Sequence, residues 1–363
     1  MSRKFPRPIK RLVIKLGSSQ IADHSLMART SNLGSLADQI CSIQQKGIDV
    51  IVVSSGAIVL GMGELGERER PKELAALQAR AAIGQNALMR IFTDLFKKDK
   101  KTCAQILLTW DDFNDRVRYV NARNTLNAIL GQGVIPIINE NDTISTEEIK
   151  FGDNDRLSAL VAGLVHADLL IILSDVEGLY DPKDGEKKIF EEIREITKEI
   201  EGIAGGARNK NISRGGMRAK LEAVKIATMA NIPCIIANGQ SENILNRILD
   251  KERVGTLFVE KEDRLLARQH WIAFGAKPKG TLFVDDGARQ ALLKGGRSLL
   301  LPGLLRFEGH FKSDDVVMIC DDRGLEFARG IINYSDGELE KIDEKKGKQE
   351  VVHCDNLVLA QKD

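Results

Sequence analysis

Six amide and carboxylate side chains, Asn139, Asn141, Asp142, Asp153, Asn154 and Asp155, fall into two short polar clusters within the run INENDTISTEEIKFGDNDRLSAL. The apolar run VIPII leads into the first cluster and LSALVAGLV follows the second. A short unbroken apolar run reads as a buried strand, and apolar residues recurring every three to four positions read as a helix. Polar groups just past a strand end are where open α/β sheets hold ligands. The chemistry on offer is capture of a small charged molecule, with carboxylates for an ammonium and amides for a carboxylate. A phosphate would need cations, and these clusters supply none.

Cations occur elsewhere, beside glycine-rich turns. LVIKLGSS puts Lys15 at the end of an apolar run, with Gly17, Ser18 and Ser19 at the turn. VVSSGAIVLG places Ser54, Ser55 and Gly56 between a strand pattern and a helix pattern. SRGGMRAKLEAVKIA sets Gly215 and Gly216 before a helix whose first turns carry Lys220. Amides at a helix start attract anions, and a lysine there opposes the helix dipole unless an anion is present. Each feature has a plainer reading: a strand-end lysine reaching solvent, a serine N-cap, a loop into a surface helix. GMGELG matches G-x-G-x-x-G but follows a helical segment, and with ERERPKE it reads as a solvated turn. No G-x-x-x-x-G-K-[ST] loop is present. Two lysines from separate glycine-rich turns fit phosphoryl transfer, where catalysis is mostly positioning and charge stabilisation.

Positioning these groups requires a sheet. LVIKL, DVIVVS, AQILL, VIPII, LLIILS and PCIIA alternate with the helical patterns SLADQICSIQQKG, ELAALQARAAIGQNALMRIFTDLF and MRAKLEAVKIATMAN. Each strand is apolar enough for cover on both faces. The alternation predicts an α/β domain, an open and mostly parallel sheet sandwiched by helices. From Lys277 the pattern changes to short strands, glycine punctuation and one short helix, a small β-rich barrel. The boundaries are placed at 1–262, at a linker helix 263–276 that includes RLLARQHWIAF, and at 277–363.

Bulk properties exclude several classes. With 363 residues, 43% hydrophobic and 29% charged, the chain reads as a globular protein of two domains. A net charge of +1 gives no global argument for nucleic acid or an acidic membrane. Five scattered cysteines without a C-x-x-C pair fit a reducing cytosol better than a disulfide framework or structural zinc. The basic start MSRKFPRPIKR is followed by only LVI before Lys15, too short for a signal core, and no stretch is long enough to span a bilayer. The expectation is a cytoplasmic protein.

Taken together, KLGSS, SSGAIVLG, the INEND and GDND pair, SDVEGLY and GGMRAK resemble the amino acid kinase superfamily, in order and spacing over nearly the whole chain. The INEND and GDND pair resembles the branch that acts on glutamate. The resemblance implies ATP-dependent phosphorylation of the γ-carboxylate of L-glutamate to L-glutamyl 5-phosphate, the first step of proline synthesis. It implies Lys15 and Lys220 on the transferring phosphoryl group, and Asp155 orienting them. It implies Ser55, Asp142 and Asn154 as substrate-binding residues, supported by Asn139 and Asp153. It places the nucleotide on Lys15, Ser174 and Asp175 and on Arg214, Gly215, Gly216, Met217, Arg218, Ala219 and Lys220. The family more often has threonine at the positions of Ser174 and Arg214. Mg²⁺ is expected with ATP, held by phosphate oxygens and water, and no protein ligand is nominated. The residue chemistry agrees, since a glutamate carboxylate with a pKa of about 4.3 is already an anionic nucleophile and needs no general base.

The stretch GTLFVDDGARQALLKGGRSLLLPGLLRFEG resembles a PUA domain, found otherwise in RNA-modifying enzymes. Residues 276–363 hold 14 basic and 16 acidic side chains, which weighs against RNA, because affinity for a phosphate backbone needs clustered cations. The alternatives are another small-molecule kinase of this fold, or an RNA-binding protein acting through the PUA segment. The resemblance further implies inhibition by proline, a homo-oligomer (dimer or tetramer) and handover of the labile acyl phosphate to glutamyl phosphate reductase.

Overall fold

A computed structural model describes residues 3–23, 26, 28–144, 153–181, 188–205, 216–260, 269, 271–341 and 349–359. The chain divides into two compact units, one comprising Met1–Asp112 and Arg116–Arg264, the other Phe113–Asp115 and Leu265–Asp363.

The first unit is built on β1 (Arg11–Leu16), β2 (Asp49–Ser54), β3 (Cys103–Leu108), β4 (Ile135–Glu140), β5 (Leu169–Ser174), β6 (Glu192–Ile193), β7 (Cys234–Asn238) and β8 (Thr256–Phe258). Their order is β3-β4-β2-β1-β5-β7-β8-β6. The six strands from β3 to β7 are all parallel to their neighbours, and β8 runs antiparallel to β7. Val13, Ile14, Val52, Ile171 and Ile235 have no exposed surface, as expected of a parallel sheet covered on both faces. The edge strand β3 departs from that expectation: five of its six residues are partly or fully exposed. An edge has a neighbour on one side only, so its cover is incomplete.

Between the strands lie α1 (Ser18–Ile21), α2 (Thr30–Gln45), α3 (Ala57–Glu64), α4 (Leu74–Lys98), α5 (Trp110–Asn114), α6 (Arg116–Gly131), α7 (Asp153–Leu164), α8 (Lys198–Gly205), α9 (Gly216–Met229) and α10 (Ile244–Leu249). The long helix α4 buries Leu77, Ala81, Leu88, Phe92 and Phe96 along one stripe, the 3.6-residue period of a core-facing helix. It meets α3 backbone to backbone. A Cβ on Gly84 would lie 1.7 Å from the Ala57 carbonyl oxygen, and one on Gly61 would lie 2.0 Å from that of Arg80. Gly61 of GMGELG therefore serves helix packing, while Gly66, at φ +68°, forms the turn that ends α3. Arg3 is buried, and its guanidinium donates to the carbonyls of Val254, Glu191 and Gly255, fastening the N-terminal arm to the end of the chain entering β8. No described helix is long and apolar enough to cross a membrane.

The second unit is a six-stranded sheet of β9 (Gly280–Val284), β10 (Leu299–Leu300), β11 (Leu304–Gly309), β12 (Val316–Cys320), β13 (Glu326–Ile332) and β14 (Glu350–Leu359), in the order β10-β14-β13-β12-β9-β11. Leu282, Val284, Val317, Ile319, Ala328 and Val352 form its core. Two α-helices, Asp286–Leu293 and the single turn Asp336–Leu339, are present where one was expected, the second fixed by a capping box of Ser335 and Glu338. Of the expected linker helix, residues 263–268 and 270 lie outside the described residues, and Trp271–Gly275 is a π-helical turn.

Candidate active site

The parallel register brings the strand ends to one level. Leu16 pairs with both Ser54 and Leu173, Ser174 pairs with Asn238, and Val53 pairs with Ile138, the residue before Asn139. Along this edge lie Asn139 on β4, Ser54 and Ser55 after β2, Lys15 to Gly17 after β1, Ser174 on β5 and Asn238 on β7. The chain leaves β1 toward β2 and leaves β5 toward β7, so the crevice between β1 and β5 is the topological switch point.

At that crevice one carboxylate holds two ammonium groups. Lys15 Nζ lies 2.5 Å from Asp155 Oδ1, and Lys220 Nζ lies 3.3 Å from Asp155 Oδ2. Lys220 also donates to the Gly216 carbonyl at 3.3 Å. Asp155 is 1% exposed and Lys15 4%. Burial pushes the Asp155 carboxyl up, but Lys15 and Lys220 together hold it below its ordinary value. Burial lowers the Lys15 ammonium, and the pull of Asp155 does not fully restore it against that burial and the repulsion of Lys220. Asp155 enters from the first turn of α7, where the helix dipole favours a negative charge. A second anion near the two lysines would meet a cationic excess: two positive groups face one carboxylate.

The turns around the trio keep their backbones open. Gly17 sits under Lys15, and a Cβ there would lie 3.9 Å from Nζ and 3.3 Å from the Leu173 carbonyl oxygen. Gly56 has φ +98° and packs on Ile21, where a Cβ would come within 2.8 Å, so only glycine fits. It delivers Ser55 to the start of α3, with Ser55 N–H donating to the Leu16 carbonyl at 3.0 Å.

On the β4 side, Asn139 and Asp142 are buried, and Asn154 is half-buried on α7. Asn139 Oδ1 and Asn154 Oδ1 are buried with no hydrogen-bond partner among the described residues. Such acceptors suit a donor such as an ammonium. On the β5 side, Ser174 is buried and its Oγ donates to the exposed Asp175 at 2.9 Å. Met217 and Ala219 are half-buried on α9, while Arg218 is exposed and pairs with Glu222 on its own helix at 3.5 Å. Arg214 and Gly215 lie outside the described residues, as does the TISTEEIKFG segment from residue 145 to 152. The same holds for the side chain of Asp153, which opens α7.

The comparisons with known proteins fit this geometry. The sequence pattern of the Amino acid kinase family matches residues 10–238. The chain belongs to the amino acid kinase family. The PUA domain pattern matches residues 280–353, and the second unit is a PUA domain. The glutamate 5-kinase of Caldanaerobacter subterraneus subsp. tengcongensis is 45% identical over 367 residues, covering 97% of this chain and 98% of its own. That of Syntrophotalea carbinolica is 46% identical over 373 residues, covering 99% and 100%. That of Dictyoglomus turgidum is 45% identical over 365 residues, covering 96% and 97%.

Within this amino acid kinase, four residues not expected from the sequence support the site. Gln20 is fully buried on α1; its Nε2 donates to the Ser174 carbonyl at 2.9 Å and its Oε1 accepts from Asn32 at 3.0 Å. Gly239 N–H reaches the same Ser174 carbonyl at 2.9 Å. Gln85 on α4 accepts from Asn139 Nδ2 at 2.8 Å inside the protein. Arg70, from the stretch expected to be a solvated turn, is half-buried; burial lowers its guanidinium while the charge of Asp142 opposes that. Gln85 had a readable signal, a polar residue interrupting the apolar stripe of α4. Gln20 and Arg70 had none.

Proposed function

We propose that this kinase transfers the γ-phosphoryl group of ATP to the γ-carboxylate of L-glutamate, giving L-glutamyl 5-phosphate in the first step of proline biosynthesis. The observation that carries this reading is the Lys15–Asp155–Lys220 trio at the switch point of the sheet. Its amide- and carboxylate-lined side lies toward β4 and its hydroxyl-lined side toward β5. Similarity to glutamate 5-kinases along almost the whole chain supports the choice of acceptor.

A carboxylate oxygen attacks the γ-phosphorus, the new O–P bond forms as the bond to the β-phosphate oxygen breaks, and ADP leaves. No proton is abstracted, because the nucleophile is already an anion near neutral pH. The barrier lies in bringing two anions together, and Lys15 and Lys220 offset that repulsion. Asp155 keeps both ammonium groups aimed at one point. Ser55, Asn139, Asp142 and Asn154, with Asp153, hold the amino acid, Asp142 suiting its ammonium. Ser174, Asp175 and the segment from Arg214 to Lys220 hold the nucleotide. Mg²⁺ bound with ATP would supply charge neutralisation on the phosphates; the exposed Asp175 carboxylate, a hard oxygen donor, would be the residue to hold it, whereas Asp155 is engaged by two lysines.

The same reading includes feedback inhibition by proline, a homo-oligomer, cytoplasmic location and handover of the acyl phosphate to a reductase. It divides the chain into a kinase domain to residue 262, a linker to 276 and the PUA domain beyond. The test is hydroxamate formation from ATP and a panel of acids with hydroxylamine as trap. Product with glutamate supports the assignment; product only with aspartate or acetylglutamate overturns it. Adding proline to the same assay tests the inhibition.

A further inference from the structure

The strand β14 breaks its pairing with β13 in one place. Gly330 pairs with Leu357 and Ile332 with Val352, so one residue of β13 faces four of β14, residues 353–356. Successive side chains on a regular strand point to opposite faces. In this bulge they do not: donor atoms of His353, Cys354 and Asp355 all lie within 4.8 Å of one another.

We propose that this bulge is a zinc(II) site, with the Cys354 thiolate, His353 Nδ1 and an Asp355 carboxylate oxygen as ligands. Three observations carry it. The first is spacing. Zinc bonds of about 2.3 Å to sulfur and about 2.0–2.2 Å to nitrogen and oxygen, at tetrahedral angles, set ligands about 3.4–3.6 Å apart. Here Cys354 Sγ is 3.8 Å from His353 Nδ1 and 3.8 Å from Asp355 Oδ1, and His353 Nδ1 is 3.6 Å from Asp355 Oδ2. The two edges to Asp355 end on different oxygens, so closing the site around the ion takes a contraction of about 0.2 Å per edge with both carboxylate oxygens turned toward it.

The second is the state of the imidazole. Asp355 N–H donates to His353 Nδ1 at 3.2 Å, so Nδ1 is the unprotonated nitrogen and its lone pair is available once that contact is displaced. The metal takes the place of that long contact. The other nitrogen, Nε2, faces Glu350 Oε2 at 4.0 Å. A carboxylate hydrogen-bonded to the far nitrogen orients metal-bound histidines, and Glu350 stands on that side, though at 4.0 Å it is not yet bonded. The third is charge and rigidity. Thiolate and carboxylate neutralise a divalent ion, with the Cys354 proton released on binding. The bulge is pinned by Cys354 N–H donating to Ser298 Oγ at 3.0 Å. Thiolate and imidazole select zinc over magnesium, and the half-exposed setting leaves the fourth position to water.

The test uses the untagged full-length chain, stripped with a chelator and titrated with Co²⁺, without nucleotide. One equivalent is expected to give a thiolate-to-cobalt charge-transfer band with the strong visible absorption of four-coordinate cobalt, and Zn²⁺ is expected to bleach both. Cys354→Ser should lose the charge-transfer band, His353→Ala should weaken binding, and Cys103→Ser should change nothing. The remaining cysteines, Cys41, Cys234 and Cys320, are buried. No thiolate band in the wild type, or a band that survives in Cys354→Ser, overturns the proposal. Should Cys354→Ser fail to fold, unchanged cobalt affinity in His353→Ala overturns it equally.

Discussion

Gln20 Nε2 donates to the carbonyl oxygen of Ser174 at 2.9 Å, tying the turn after β1 to the end of β5. Replacing Gln20 by leucine keeps the volume and removes the bond, while the half-buried Asn32 amide keeps its contact with the Gln20 carbonyl at 3.5 Å, so the cost is about 1 kcal/mol. If the Ser174 turn carries the nucleotide, the KM for ATP should rise about tenfold, the equivalent of about 1.4 kcal/mol, with the KM for glutamate unchanged. Equal shifts in both constants would assign Gln20 a structural role only.

Lys220 and Asp155 should separate in a stability measurement. Lys220→Ala leaves Asp155 paired with Lys15, so the melting temperature should barely move, while turnover should fall by ~10²–10³, the scale of removing one charge-stabilising group. Asp155→Asn strips the counter-charge from a buried lysine and should destabilise by ~3–5 kcal/mol. Calorimetry beside the hydroxamate rate distinguishes the two; parallel losses in Lys220→Ala would argue that the lysine is structural.

The pH dependence has two limbs of known sign. Asp155 is held below its ordinary 3.8, so between that value and its folded value the unfolded chain binds more protons. Its stabilising contribution is complete above 3.8 and is lost as pH falls through the folded value. Urea midpoints taken down through this window should fall more steeply for the wild type than for Asp155→Asn. Lys15 is lowered from 10.5 by burial, so turnover should decline on the alkaline side sooner than an ordinary lysine dictates. A pH–rate profile flat to 10.5 would contradict this.

Gly84→Ala should be among the most damaging single substitutions. Its Cβ meets the Ala57 carbonyl oxygen at 1.7 Å, which backbone cannot evade without parting α3 from α4. The expected loss is ~3 kcal/mol or more, read as a fall in denaturation midpoint, whereas Gly131→Ala, with nothing within 4 Å, should be tolerated.

Much of this was legible in the chain. The six apolar runs became the six parallel strands because two covered faces leave no alternation to misread. Lys15, Ser55, Asn139, Asn154, Asp155 and Lys220 were visible because polar residues at strand ends and glycine turns stand out against such runs. The partial exposure of β3 was not legible, because its sequence is as apolar as the others and only its place at the edge decides its cover. Gln20 and Arg70 were hidden for a related reason: each acts through contacts with residues distant in sequence. The glycines of GMGELG looked like a turn signal, yet Gly61 answers to Arg80 on a neighbouring helix.

The trio at the switch point also has an order of appearance. A ribosome releases Lys15 first, then Asp155, and Lys220 a further 65 residues later. Until α9 emerges, Asp155 has a single ammonium partner, and a chain stopped short of that helix has one cation for one anion with no excess left for phosphate. If the trio receives the phosphates as proposed, nucleotide affinity during synthesis would be a late event, and a nascent chain that retains labelled ATP would already have docked α9 against α7.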